Sequence, residues 1–178
     1  MTDSIRLKPA KGQQLSVVMP STDQSQLRQQ LRDLFEDYAA CIDDRELERW
    51  PDFFSDDALY RVIARENYDA GLTHAAMYCD GISMIRDRVV AIRETTVYEP
   101  RALRHFVSGV RVLGIDGDVV KATANFMIVE ALANSEPRLS LVGRYIDTLV
   151  GVDGSWLFKD RSCVYDNYRI HTSLIFPV

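Results

Sequence analysis

The stretch Leu139–Tyr165, LSLVGRYIDTLVGVDGSWLFKDRSCVY, limits the possible folds more than any other part of the chain. Both arms are rich in β-branched and aromatic residues, and Val152-Asp153-Gly154 punctuates them, so the pattern predicts a long antiparallel hairpin. Its register can be argued from charge. A two-residue Asp153-Gly154 loop sets Asp147 opposite Asp160, a like-charge pair that costs stability. A three-residue loop, with Gly154 in the left-handed position of a bulge, instead pairs Asp147 with Lys159 and Leu149 with Leu157. The second register is the one predicted. A hairpin this long belongs at the centre of a large curved sheet, and says nothing yet about chemistry.

The remaining sequence surrounds that hairpin with a conventional domain. At 178 residues the chain is long enough for one domain with a buried core and a short appendage. Its 47% hydrophobic and 26% charged residues are ordinary for a soluble protein. A net charge of -5 argues against a nucleic-acid or anionic-membrane partner. No window approaches the roughly 18 apolar residues of a membrane span, and the N-terminus lacks the apolar run of a secretion signal. Cys41, Cys79 and Cys163 are odd in number and far apart, which fits a reducing, cytoplasmic setting.

Residues 1–20 show no periodicity and contain Pro9, Gly12 and Pro20, so a flexible N-terminal arm is expected there, followed by a single domain over 21–178. Ser21, Thr22 and Asp23 offer caps for a helix whose apolar face is Leu27, Leu31, Leu34, Phe35, Tyr38 and Ile42. Arg45–Trp50 reads as a short second helix stopped by Pro51. A strand is expected near 58–65, a loop with some extended structure over 66–79, and a third helix capped by Asp80 with Ile82, Ile85, Val89 and Ile92 inward. Strands near 101–113 and 119–133 lead into the hairpin. The order implies an α+β domain in which a curved antiparallel sheet wraps around three N-terminal helices. The mouth of such a sheet is a natural pocket.

Chemistry is sparse. There is no HExxH, CxxC, Walker loop, GxGxxG or GxSxG, and the cysteines do not form close pairs with His74, His105 or His171 as a Rieske cluster requires. His105, within the strand Arg104-His105-Phe106-Val107, is the most informative single residue. Beside Asp43 or Asp44 it forms a general acid/base dyad, with Tyr60 as a phenolic donor; the plainer alternative is a histidine held by structural partners. His74 and His171 read as surface or interface residues. Trp50, Phe53 and Phe54 fit a ligand box or, more simply, the helix–sheet core. The apolar tail Ile170–Val178 must dock, either on its own domain or on a partner. The run Arg86–Arg93 reads as the solvated side of the third helix.

Several of these residues carry a resemblance. Ile42-Asp43-Asp44, Trp50-Pro51-Asp52-Phe53-Phe54-Ser55-Asp56-Asp57, Tyr60-Arg61-Val62, Met84-Ile85-Arg86-Asp87-Arg88, Tyr98-Glu99-Pro100-Arg101 and Arg104-His105-Phe106-Val107-Ser108 resemble, in order, the small (beta) subunits of aromatic-ring-hydroxylating dioxygenases. The similarity is greatest to those acting with terephthalate, salicylate or anthranilate oxygenases, and covers most of residues 25–178. It implies a cystatin-like, nuclear-transport-factor-2-like cone and a mainly structural small subunit. It also implies a large (alpha) subunit holding a Rieske [2Fe-2S] cluster and a mononuclear Fe(II), an alpha3beta3 assembly in which the small subunits form a trimer, and a reductase or ferredoxin reaching it only through the large subunit. On that reading no catalytic, cofactor-binding or metal residue is expected in this chain. The competing reading on the same fold is a stand-alone dehydratase or isomerase using Asp44, His105 and Tyr60, and a pure ligand-binding module is a third.

Overall fold

The structure, a computed structural model, describes residues 21–171 and 173–178; the expected arm lies outside the described residues. Helix α1, Ser21–Asp43, buries Leu27, Leu31, Phe35, Tyr38 and Ile42, the stripe that the three- and four-residue spacing predicts. A single 3-10 turn, Trp50–Phe53, leads into β1, Phe54–Ala64. Then come α2 (Arg65–Asp69), β2 (Met77–Asp80) and α3 (Ile82–Val90), which runs on as a π-helical turn over Ala91–Thr95. Four long strands complete the domain: β3 (Arg101–Asp116), β4 (Val119–Leu132), β5 (Arg138–Val152) and β6 (Ser155–Tyr165).

All six strands form one sheet in the order β2-β1-β6-β5-β4-β3, antiparallel except where β1 runs parallel to β6. Register shifts at Ser108/Arg111 and Val112/Gly114 bend β3, and α1 packs against that strand. The inner face of the sheet and α1 thereby enclose the core, where Phe35, Tyr38, Tyr60, Tyr145 and Phe158 are all essentially inaccessible to solvent. Edge-to-face and tilted contacts at 5.5 to 5.8 Å link Phe35 and Tyr38 to Phe158 and Phe35 to Tyr145.

The structure differs from the sequence reading at four places. Arg45–Trp50 is not a helix. Arg45 adopts φ 63, outside the right-handed helical region, and the chain continues through four-residue turns closed by Arg49 N–H to the Glu46 carbonyl and Trp50 N–H to the Leu47 carbonyl. Asp80 does not cap α3 either: it is the last residue of β2, opposite Leu59, and the helix begins after Gly81 at φ 84. Over 66–79 the extended structure expected within the loop is β2, but the short helix α2 that opens the segment was not expected.

The hairpin register is the fourth. Val152 pairs with Ser155 and Leu149 with Phe158, so the turn is the two-residue Asp153-Gly154 loop, with positive φ at both residues (49 and 82). The like-charge clash that argued against this loop is removed further along. A bulge between Thr148 and Leu149 leaves Lys159 without a partner and shifts the ladder by one, so Asp147 faces Arg161 and neither Lys159 nor Asp160.

Candidate functional site

Two polar clusters lie on the inner side of the sheet, and the first is made by that shifted ladder. Arg161 and Asp147 have side chains at 0% exposure, with Nη1 of Arg161 3.3 Å from Oδ2 of Asp147. The guanidinium sits 3.9 to 4.9 Å from the ring centres of Phe35, Tyr38, Tyr145 and Phe158. Four negative ring faces thus supply much of the solvation that burial removes. Asp147 Oδ1 and Arg161 Nε and Nη2 have no hydrogen-bond partner among the described residues. Burial raises the Asp147 carboxyl to about 7, against the opposing pull of Arg161. The folded chain therefore holds this proton more tightly than the unfolded chain, whose aspartate titrates near 3.9. Asp147 contributes most to stability below that value, and its contribution is lost as pH rises toward about 7. Urea unfolding of wild type and Asp147→Asn is expected to show the larger stability difference at about pH 5 and the smaller at about pH 8.

The second cluster joins the end of α1 to β3. Asp43 Oδ1 lies 2.6 Å from His105 Nδ1, and Asp43 Oδ2 accepts the His105 backbone N–H at 2.9 Å. The carboxylate thus assigns the proton to Nδ1 and leaves Nε2 as the basic nitrogen. The His105 side chain is fully buried, and Nε2 has no partner among the described residues. Of the two aspartates considered beside His105, Asp43 takes the place and Asp44 is exposed. Tyr60 is not bonded to this pair. His74 and His171 are exposed.

Tyr60 instead meets the tail. Val178 N–H donates to Tyr60 Oη at 2.8 Å, and Val178 O accepts from Tyr38 Oη at 2.9 Å and from Cys163 Sγ at 3.2 Å. Ile175, Phe176 and Val178 are buried, and Phe176 packs edge-on to Tyr98 at 5.2 Å with the Arg45 guanidinium 4.6 Å above its ring. Arg88 Nη2 donates to the carbonyls of Leu174 and Ile175 at 3.0 and 2.6 Å. The space left beside the tail, lined in part by Leu103, Ile128, Leu141 and Phe176, is about 30 Å³, room for one water. Trp50 and Phe54 are buried against Tyr60, which makes the aromatic knot part of the core. Among the described residues, no three His, Cys, Asp or Glu side chains come together as a metal site, and no helix is long and apolar enough to cross a membrane.

Comparison with known proteins places this geometry. A family model for the ring hydroxylating beta subunit matches residues 38–172. The chain belongs to that family. The anthranilate 1,2-dioxygenase small subunit of Burkholderia cepacia is 32% identical over 141 residues, covering 79% of this chain and 88% of the relative. A terephthalate 1,2-dioxygenase terminal oxygenase subunit (beta 2) from a Comamonas species is 30% identical over the same share of this chain and 92% of its own. A solved beta subunit assigned to an aromatic-ring-hydroxylating dioxygenase of Novosphingobium aromaticivorans superposes with a TM-score of 0.79 at 37% identity, covering 86% of this chain and 98% of that one.

Within this beta subunit, sequence reasoning singled out His105 and required the tail to dock, but its candidate site of Asp44, His105 and Tyr60 is not brought together: the partner of His105 is Asp43, and Tyr60 meets the tail. It missed Arg161, Asp147 and Arg88. Arg88 was legible as one of a run of charges but not as the one that turns inward. Arg161 and Asp147 had a signal: each falls in an alternating pattern with buried neighbours, Cys163 on β6 and Tyr145 and Leu149 on β5.

Proposed function

We propose that this beta subunit is a non-catalytic assembly partner in a dioxygenase acting on an aromatic acid. The large subunit would carry the Rieske cluster and the mononuclear iron, and three copies of each chain would assemble, in the cytoplasm, with a trimer of small subunits at one end. The substrate class rests on the relatives, whose names specify anthranilate and terephthalate. The structural role rests chiefly on one observation: the tail occupies the inner side of the sheet and leaves about 30 Å³ there, too little for an aromatic substrate. The donor set agrees, since Cys41, Cys79 and Cys163 are buried on three different elements, α1, β2 and β6. Among the described residues no three His, Cys, Asp or Glu side chains come together, so neither iron centre fits them.

The outer face supports a partner. Phe106 on β3 lies opposite Met127 on β4, and both are exposed, at 53% and 38%. Leu139 on β5, at 47%, extends the same apolar face. A second reading, an enzyme in its own right, is favoured by the Asp43–His105 contact and its free Nε2.

One experiment separates the two. Coexpression with a large subunit is expected to yield an iron-containing complex whose ring-hydroxylating turnover per iron changes less than about twofold with His105→Gln. A loss on the order of 100-fold or more in intact complex, the scale of a missing acid/base group, would overturn the structural reading. So would a chain that stays a homo-oligomer and captures no large subunit.

A further inference from the structure

The tail reaches Val178 as irregular chain, yet its end is received by groups that an apolar core has no reason to supply. Three elements converge on one oxygen of Val178. Tyr38 from α1 and Cys163 from β6 donate to Val178 O at 2.9 and 3.2 Å, and Tyr60 from β1 lies 3.4 Å from the same atom. Tyr60 also accepts the Val178 N–H at 2.8 Å. The Arg161 guanidinium lies 4.0 Å from the centre of the Tyr38 ring, with Nε and Nη2 unpartnered among the described residues. Without the segment, two phenols and a thiol would face a void, and a buried donor left without an acceptor carries the full cost of its desolvation. Such a cluster is built to hold an oxygen acceptor.

The occupant is held lightly for something so buried. Outside the cluster, among the described residues, its hydrogen bonds to the fold are those from Arg88 to the carbonyls of Leu174 and Ile175. The stretch that leads to it is open, with Tyr168, Arg169, His171 and Ser173 exposed. A chain with few anchors and an exposed lead-in opens locally at lower free energy than the strands beneath it.

We propose that residues 174–178 act as a built-in ligand, occupying a site that accepts a small apolar molecule bearing one carbonyl or carboxylate oxygen. The oxygen takes the place of Val178 O between Tyr38 and Cys163, and the apolar body takes the place of Phe176 and Val178. The assignment stands on this cluster alone and does not depend on the dioxygenase reading.

The test uses full-length Arg88→Ala, which removes both carbonyl anchors and leaves the cluster intact. Equilibrium dialysis with acetophenone and with benzoate is expected to give saturable binding of one molecule per chain, at least about fivefold tighter than to wild type. Which probe binds tells a neutral carbonyl from a carboxylate. Adding Tyr38→Phe should weaken that binding roughly fivefold, the worth of one hydrogen bond. A chain lacking 174–178 supplies a second arm: it should bind the probe and also a peptide of sequence SLIFPV, with a change in Trp50 fluorescence. Saturable binding in neither variant overturns the proposal, as does binding that ignores Tyr38→Phe. If the shortened chain does not fold, Arg88→Ala decides.

Discussion

At about pH 8, where Asp147 is ionised, Arg161→Met is expected to lower the free energy of unfolding by about 3–5 kcal/mol, the usual cost of removing one member of a buried ion pair. The substitution keeps an apolar side chain among the four rings but leaves Asp147 buried with no cation beside it. Asp147 then has no donor for either carboxyl oxygen, since Oδ2 is bonded only to Arg161 and Oδ1 has no partner among the described residues. The double substitution Arg161→Met with Asp147→Leu is expected to recover most of that loss, because it removes the charge and the carboxyl together. Urea unfolding of the four proteins in the cycle measures the coupling. Equal losses in the single and double variants would mean that packing of the arginine stem, and not its charge, holds the site together.

Gly143→Ala should be nearly as damaging for a steric reason. A Cβ at Gly143 would lie 2.1 Å from the Val164 carbonyl oxygen, 2.8 Å from Tyr165 Cα and 2.9 Å from Phe126 Cζ. Two of these are backbone atoms of β6, so relief requires β5 and β6 to part where Gly143 pairs with Tyr165. Overpacking of this kind costs about 3 kcal/mol, and in a chain of this size that corresponds to a fall in Tm of roughly 6–12 °C. Gly114→Ala is the control, since a Cβ there meets nothing within 4 Å. Thermal melting of the two variants should separate them clearly, and matching Tm values would show that the strands yield without cost.

What the sequence disclosed follows the strength of its periodic signals. Helix α1 was legible because its apolar residues recur over about four turns, and β3 to β6 because long β-branched runs are separated by Asp116-Gly117 and Asp153-Gly154. Residues 45–50 failed because hydrophobic spacing over six residues cannot tell a helix from successive turns. The hairpin failed more instructively. Charge repulsion between Asp147 and Asp160 was a real constraint, but a bulge at Lys159 resolved it, and no local pattern announces where a bulge lies. His105 was found because histidine within a strand is conspicuous, whereas its partner was set by where α1 ends, which made Asp43 and not Asp44 the neighbour. Arg88 was invisible as an anchor because its acceptors are carbonyls some 86 residues away.

The parallel pairing of β1 with β6 sets the order in which the molecule can be completed. The Arg61 guanidinium bonds to Ser162 across 101 residues, and the Tyr38 and Tyr60 hydroxyls wait for Val178 across 140 and 118. During synthesis, α1 and β1 leave the ribosome long before the strand that covers β1 exists. Loop closure over such distances is slow, and the half-sheet exposes an unpaired strand edge in the interval. The inner face cannot close before the last strand and the tail have emerged. Any partner that recognises the finished sheet must therefore bind after β6 and the tail have emerged.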